Sequence, residues 1–149
     1  MATIQATTGP LTLRVERRFA ASPERVFQAW TTADALNRWS APGEMTARAT
    51  VDLRVGGQYR ISMAAPDGKV HGVTGVYREI DPPKRLVYSW QWETMPGFPE
   101  TVVTVEFRER ADGGTDLILL HEGLPDENSR ERHAHGWGGS LDKLAALEA

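Results

Sequence analysis

Four histidines and no cysteine bound the chemistry open to this chain of 149 residues. Imidazole is the side chain whose ordinary pKa lies nearest neutrality, which makes it the first candidate for a general acid or base. His121 closes an alternating run with Leu117 and Leu119 and so points inward, while Glu122 points out. His133 stands one helical turn before Trp137 and can approach the same interior. Two readings stay open for these rings. They orient a bound molecule, with His121 serving as acid or base if the protein is an enzyme, or they are structural histidines satisfied by neighbouring groups. His133 and His135, two residues apart on a helix, point to different faces, and neither has a partner four residues on, so no metal site is expected. Without cysteine there is no thiolate metal site, cysteine nucleophile or disulfide scaffold. The chain contains no GxSxG elbow, HExxH, P-loop or dinucleotide GxGxxG. No cofactor is expected, and no catalytic residue is assigned beyond that conditional role of His121.

The apolar residues carry a stronger signal, one for binding. Tyr59, Ile61 and Met63 alternate along one strand, and Trp90 and Trp92 share a face with Leu86 and Tyr88 on another. Val103, Val105, Phe107 and Leu119 form the inner face of two more, and Trp137 and Leu141 lie on one helical stripe. Together with His121 and His133 these are the candidate lining of a ligand cavity. Large rings bury about 150–250 Å² each, so the same residues also suffice for a solid core. The loop Thr94-Met95-Pro96-Gly97-Phe98-Pro99 is rich in turn formers, yet Met95 and Phe98 are unusually apolar for a plain connection. They are expected to form a movable lip over the cavity, with packing against the first helices as the alternative.

The elements that must position these residues can be read from periodicity. LTLRVERRF alternates over Leu11, Leu13 and Val15 as a strand with one buried face. Ser22-Pro23-Glu24 is an N-cap hydroxyl, a first-turn proline and a first-turn acid, and opens a short helix whose apolar face is Val26, Phe27 and Trp30. A second helix is expected from about Ala33 to Trp39, with Thr31 and Asp34 spaced like a capping box. From Met45 the period changes to two, with Ala47, Ala49, Val51, Leu53 and Val55 on one face up to the Gly56-Gly57 turn. Strands over Tyr59–Met63, Val70–Ile80, Leu86–Trp92, Val103–Phe107 and Leu117–His121 follow, separated by turn signals at Asp67-Gly68, Asp81-Pro82-Pro83 and Asp112-Gly113-Gly114. Gly72 and Gly75 inside one of them indicate a bend or a close backbone approach. The last stretch, Asp126 to Ala149, places His133, Trp137, Leu141 and Leu144 on one stripe of a long helix. Gly136, Gly138 and Gly139 weaken that helix by about 1 kcal/mol each and would let the sheet, or a ligand, approach around Trp137; a break at Gly138 is the alternative.

One strand, two short helices, six strands and a long helix make an α+β chain of antiparallel, hairpin-rich order. That order, with Trp30 and Trp39, VDLRVGG at 51 to 57, GVYREIDPPKRLVYSWQWE at 75 to 93, HEGLPD at 121 to 126, His133, Gly136-Trp137 and Leu141-Asp142, resembles the SRPBCC superfamily. More narrowly it is similar to the bacterial proteins related to the C-terminal domain of the activator of Hsp90 ATPase. The resemblance implies a helix-grip (START/Bet v 1-like) fold, in which a curved sheet wraps a long C-terminal helix and cups a cavity. It implies a carrier or sensor for a hydrophobic small molecule or lipid. A cavity enzyme of cyclase, dehydratase or hydrolase type using His121 is the alternative, and a chaperone-interacting, stress-response module is another. One domain over residues 11–149 is expected, after a frayed start at 1–10. Seventeen basic against twenty acidic residues leave a formal charge of −3, so no nucleic-acid partner is expected. No apolar run approaches the roughly 18 residues of a membrane span, and the start lacks a signal peptide, so a cytoplasmic protein without membrane anchoring is expected. A homodimer is compatible with the sequence, and a chaperone partner is not excluded by it.

Overall fold

The computed structural model describes residues 11–147; the expectation of a frayed start at 1–10 lies outside them. The elements run β1 (Leu11–Phe19), α1 (Pro23–Thr31), α2 (Ala33–Trp39), β2 (Thr46–Val51), β3 (Gln58–Ala64), β4 (Val70–Asp81), β5 (Arg85–Trp92), β6 (Thr101–Glu109), β7 (Thr115–Leu124) and α3 (Glu127–Leu147). All seven strands form one sheet in the order β1-β7-β6-β5-β4-β3-β2, every pair antiparallel. The first strand therefore returns to pair with the last, Leu13 opposite His121 and Val15 opposite Leu119.

Local chemistry accounts for the ends of these elements, with two corrections. Ser22 caps α1 through its Oγ, which accepts from the Arg25 amide, and Asp126 Oδ1 accepts from the Ser129 amide at the start of α3. The Thr31–Asp34 capping box does not form. Thr31 is the last residue of α1, its hydroxyl donates back to the Phe27 carbonyl, and the residue preceding α2 is Thr32, whose side chain makes no cap bond. The strand expected to continue from Met45 to Val55 ends at Val51, because the Asp52 amide already bonds the Gln58 carbonyl and turns the chain. Leu53 and Val55 are left exposed.

The interior glycines of β4 have separate reasons. A Cβ on Gly75 would run into the Ser89 carbonyl and the Tyr59 ring, so this is a true close approach. The approach lets the Tyr59 hydroxyl donate to the Ser89 carbonyl at 2.6 Å. At Gly72 the Arg60–Glu93 ion pair passes over the bare backbone. In α3 the helix runs unbroken through its glycines. Only Gly139 is closely approached, and by Pro42 of the α2–β2 connection rather than by the sheet.

The core lies between the concave face of the sheet and the helices. Trp30, Trp39, Leu86, Tyr88, Val103, Val105, Phe107, Leu117, Leu119, Leu141 and Leu144 are all buried in it. Trp30 and Trp39 pack at 4.6 Å between centroids; the first donates its indole N–H to the Tyr88 hydroxyl and the second to the Ala29 carbonyl. Further along α3, Ser140 donates to the Ser40 carbonyl and Lys143 to the Ala41 and Met45 carbonyls. These bonds tie the helix to the α2–β2 connection, so that the two together form one wall over the sheet.

Candidate functional site

Between that wall and the strands β3 to β5 lies a cavity of about 400 Å³, within the roughly 300–1,000 Å³ range of small-molecule pockets. Each element contributes through its own periodicity. The strands supply Met63, His71, Trp90 and Trp92; the β5–β6 loop supplies Met95 and Phe98; the α2–β2 connection supplies Ser40, Pro42 and Met45. From α3 come Ser129, Arg132, His133, His135, Gly136, Trp137 and Ser140, most of them steps of three and four along one stripe. The floor is buried, at Trp90, Met63 and Trp137, and the outer end is exposed, at Arg132 and His135. A second, far smaller space of about 20 Å³ lies behind Trp90 and Trp137, lined by Tyr59, Ile61, Tyr88 and Trp30 among others.

The two candidate histidines are held in a hydrogen-bonded frame whose proton positions follow from the donors. An indole N–H can only donate. Trp137 Nε1 donates to His121 Nδ1 at 3.1 Å, so the His121 proton is on Nε2, where the Thr101 hydroxyl lies at 2.8 Å. Thr101 in turn donates to the Trp90 carbonyl at 2.7 Å. Trp92 Nε1 donates to His133 Nε2 at 2.9 Å, which puts the proton of that ring on Nδ1, facing the Ser129 carbonyl at 2.7 Å. The two imidazoles, 5.0 Å apart between centroids, are thus opposite tautomers, each neutral and each accepting from a tryptophan. Burial, helped by the neighbouring His133, pushes His121 down to about 3. His133 is also lowered, chiefly by burial, with the Ser129 carbonyl opposing and the Arg132 cation adding.

This frame decides what each ring can do chemically. His121 is fully buried, lines neither space, and has both nitrogens engaged. His133 does line the large cavity, but both its nitrogens are engaged, by the Trp92 indole and the Ser129 carbonyl, and Phe98 stacks on its ring at 5.7 Å and 26°. Trp90 packs at 5.2 Å from Trp137 and edge-on to Trp92, and its own buried indole N–H has no hydrogen-bond partner among the described residues.

Of the residues singled out from the sequence, Met63, Trp90, Trp92, Met95, Phe98, His133 and Trp137 meet at the large cavity. Tyr59 and Ile61 face the small space. Val103, Val105, Phe107, Leu119 and Leu141 are packed in the core and line neither. Sequence reasoning missed Met45, His71, Ser129, Arg132 and His135. For Ser129 and Arg132 a signal was present, since with Gly136 and Ser140 they flank the His133–Trp137 stripe; Met45 is in step with Ala47 and Ala49, and His71 with the buried Val73 and Tyr77 along β4. Among the described residues no group of three or more His, Cys, Asp or Glu could hold a metal ion, and no helix is long and apolar enough to cross a membrane.

Comparison with known proteins places this architecture. A family model described as Activator of Hsp90 ATPase homolog 1-like protein matches residues 20–148. The chain is 25% identical over 125 residues to the human activator of 90 kDa heat shock protein ATPase homolog 1, covering 84% of this chain and 33% of that protein. It therefore spans about a third of the length of this curated relative. A crystal structure of a Chromobacterium violaceum protein superposes with a TM-score of 0.86 at 34% identity, covering 92% of this chain and 96% of the other. The AHSA1 protein of Silicibacter pomeroyi superposes with a TM-score of 0.82 at 29% identity over the same shares.

Proposed function

The chain belongs to the Activator of Hsp90 ATPase homolog 1-like family, and from that membership we propose that it is a carrier or sensor that binds an apolar small molecule between the curved sheet and α3. The observation that carries this reading is the cavity of about 400 Å³ with its floor of Trp90, Trp137 and Met63 and its loop cover of Met95 and Phe98. A folded domain gains from filling such a volume with its own side chains, since interiors are otherwise close-packed. An apolar space of this size is better explained by a guest.

A cavity enzyme using His121 has less support. A general acid or base needs a proton or a lone pair directed at the substrate, and both nitrogens of His121 face Trp137 and Thr101. Stimulation of a chaperone ATPase, the activity in the human relative's name, is a second reading, favoured only by that likeness over a third of the relative's length. Native mass spectrometry of the freshly purified chain tests the carrier reading. A discrete adduct that leaves on denaturation supports it; a clean protein that also fails to bind apolar fluorescent probes overturns it.

A further inference from the structure

We propose that the guest is an amphipathic monocarboxylic acid, its apolar body in the cavity and its carboxylate at the outer end on the Arg132 guanidinium. The inference rests on the cavity being a binding site and names the class of molecule that the site takes.

The charge around the cavity is one-sided. The chain as a whole has more acidic than basic residues, twenty against seventeen, yet among the described residues no Asp or Glu lines the cavity, whereas the Arg132 guanidinium does. Of the carboxylates on the elements that border the entrance, Glu44 and Glu131 are exposed and line no part of the cavity, while four others are already engaged. Glu93 holds Arg60 with two bonds from the guanidinium Nε, at 2.9 and 3.1 Å; Glu100 pairs with Arg78; Glu127 pairs with Arg130 one turn into α3. Asp126 is taken by the Ser129 amide. Arg132 has no ion pair or hydrogen bond among the described residues, and its field falls on the cavity, where it disfavours a second positive charge on His133.

A guanidinium presents a planar fork of donors that matches a carboxylate. Next to it along α3 the lining changes within two helical turns to His133 and Trp137, with the thioethers of Met45, Met63 and Met95 also in the lining. Such a surface stacks on flat or flexible apolar bodies alike. A neutral apolar guest would use the floor but leave Arg132 without a role. A dianion or phosphate would need a second cationic partner, and among the described residues Arg132 is the one guanidinium or ammonium that lines the cavity.

The test uses matched probes and the full chain. Decanoate against 1-decanol, and 2-naphthoate against 2-naphthylmethanol, are titrated calorimetrically into wild type, Arg132→Gln and Arg132→Glu at low ionic strength. The wild type is expected to prefer the acid of each pair by about tenfold, a difference of about 1.4 kcal/mol, and to lose part of that preference as salt is raised. Arg132→Gln removes the preference while leaving alcohol binding unchanged, and Arg132→Glu reverses it. Because Arg132 is exposed, neither change threatens the fold. Equal binding of acid and alcohol by the wild type, or a preference that survives both substitutions, overturns the carboxylate assignment and leaves the cavity reading standing. Failure of all four probes to bind the wild type overturns both.

Discussion

Replacing His121 by Phe keeps a flat ring in a fully buried position and removes both nitrogens. At neutral pH the main cost falls on Trp137, whose indole N–H loses its acceptor; Thr101 keeps its bond to the Trp90 carbonyl. An orphaned buried donor costs about 1–3 kcal/mol, which sets the expected loss at pH 7. The pH dependence carries the sharper prediction. The folded-state pKa of His121 is lowered to about 3, from about 6.5 in the unfolded chain. Its contribution is therefore complete above pH 6.5 and is lost as pH falls from there toward 3, because only the unfolded state takes up the proton in that window. One and a half pH units at about 1.4 kcal/mol each make the wild type lose roughly 2 kcal/mol from this group by pH 5. The His121→Phe variant has no such group to titrate, while His133 titrates in both proteins and cancels in the difference. The gap of about 1–3 kcal/mol at pH 7 should thus close, or change sign, near pH 5. Urea unfolding followed by tryptophan fluorescence at half-unit pH steps measures it. A gap that stays constant from pH 7 to pH 5 would refute the buried, neutral acceptor on which the tautomer assignment depends.

Trp137→Ala is expected to destabilise by about 3–5 kcal/mol in the same assay, since the ring is buried against Trp30 and Trp90 and bonded to His121; a change within error would detach α3 from the sheet. Gly138→Ala should stabilise by up to about 1 kcal/mol, because an added Cβ meets nothing within 4 Å. Gly75→Ala should instead destabilise by several degrees in melting temperature, because its Cβ would collide with the Ser89 carbonyl and force two backbones apart. Met95→Ser with Phe98→Ser should weaken binding of an apolar fluorescent probe and leave the melting temperature nearly unchanged, as both side chains are only half-buried over the cavity. A large stability loss with unaltered probe affinity would mark them as packing.

Periodicity and turn chemistry are local properties, and what depends on them was legible in the chain. The alternation of Leu86, Tyr88 and Trp90, the Ser22-Pro23-Glu24 helix start and the His133–Trp137–Leu141 stripe each determined an element and its buried face. The helix-grip architecture itself was implied by the resemblance that their order and motifs bear to the SRPBCC superfamily. The inward direction of His121 followed from the same alternation. Three things did not follow. Whether Leu53 and Val55 continue a strand depends on where the partner strand returns, and the bond from the Asp52 amide to the Gln58 carbonyl decides it. Whether an inward side chain fills space or borders it depends on how far apart the walls stand; Phe107 packs against Phe27 and Trp30 of α1, while Met63 borders the open cavity. That spacing comes from Ser140, Lys143 and Gly139 gripping a connection about a hundred residues earlier in the chain. The role of His121 was the third. Sequence placed an imidazole in the interior, but only the tertiary structure brings an indole donor from α3 to one nitrogen and a hydroxyl from β6 to the other. A side chain's chemistry is set by the atoms across from it, and those come from elements whose distance along the chain carries no local pattern.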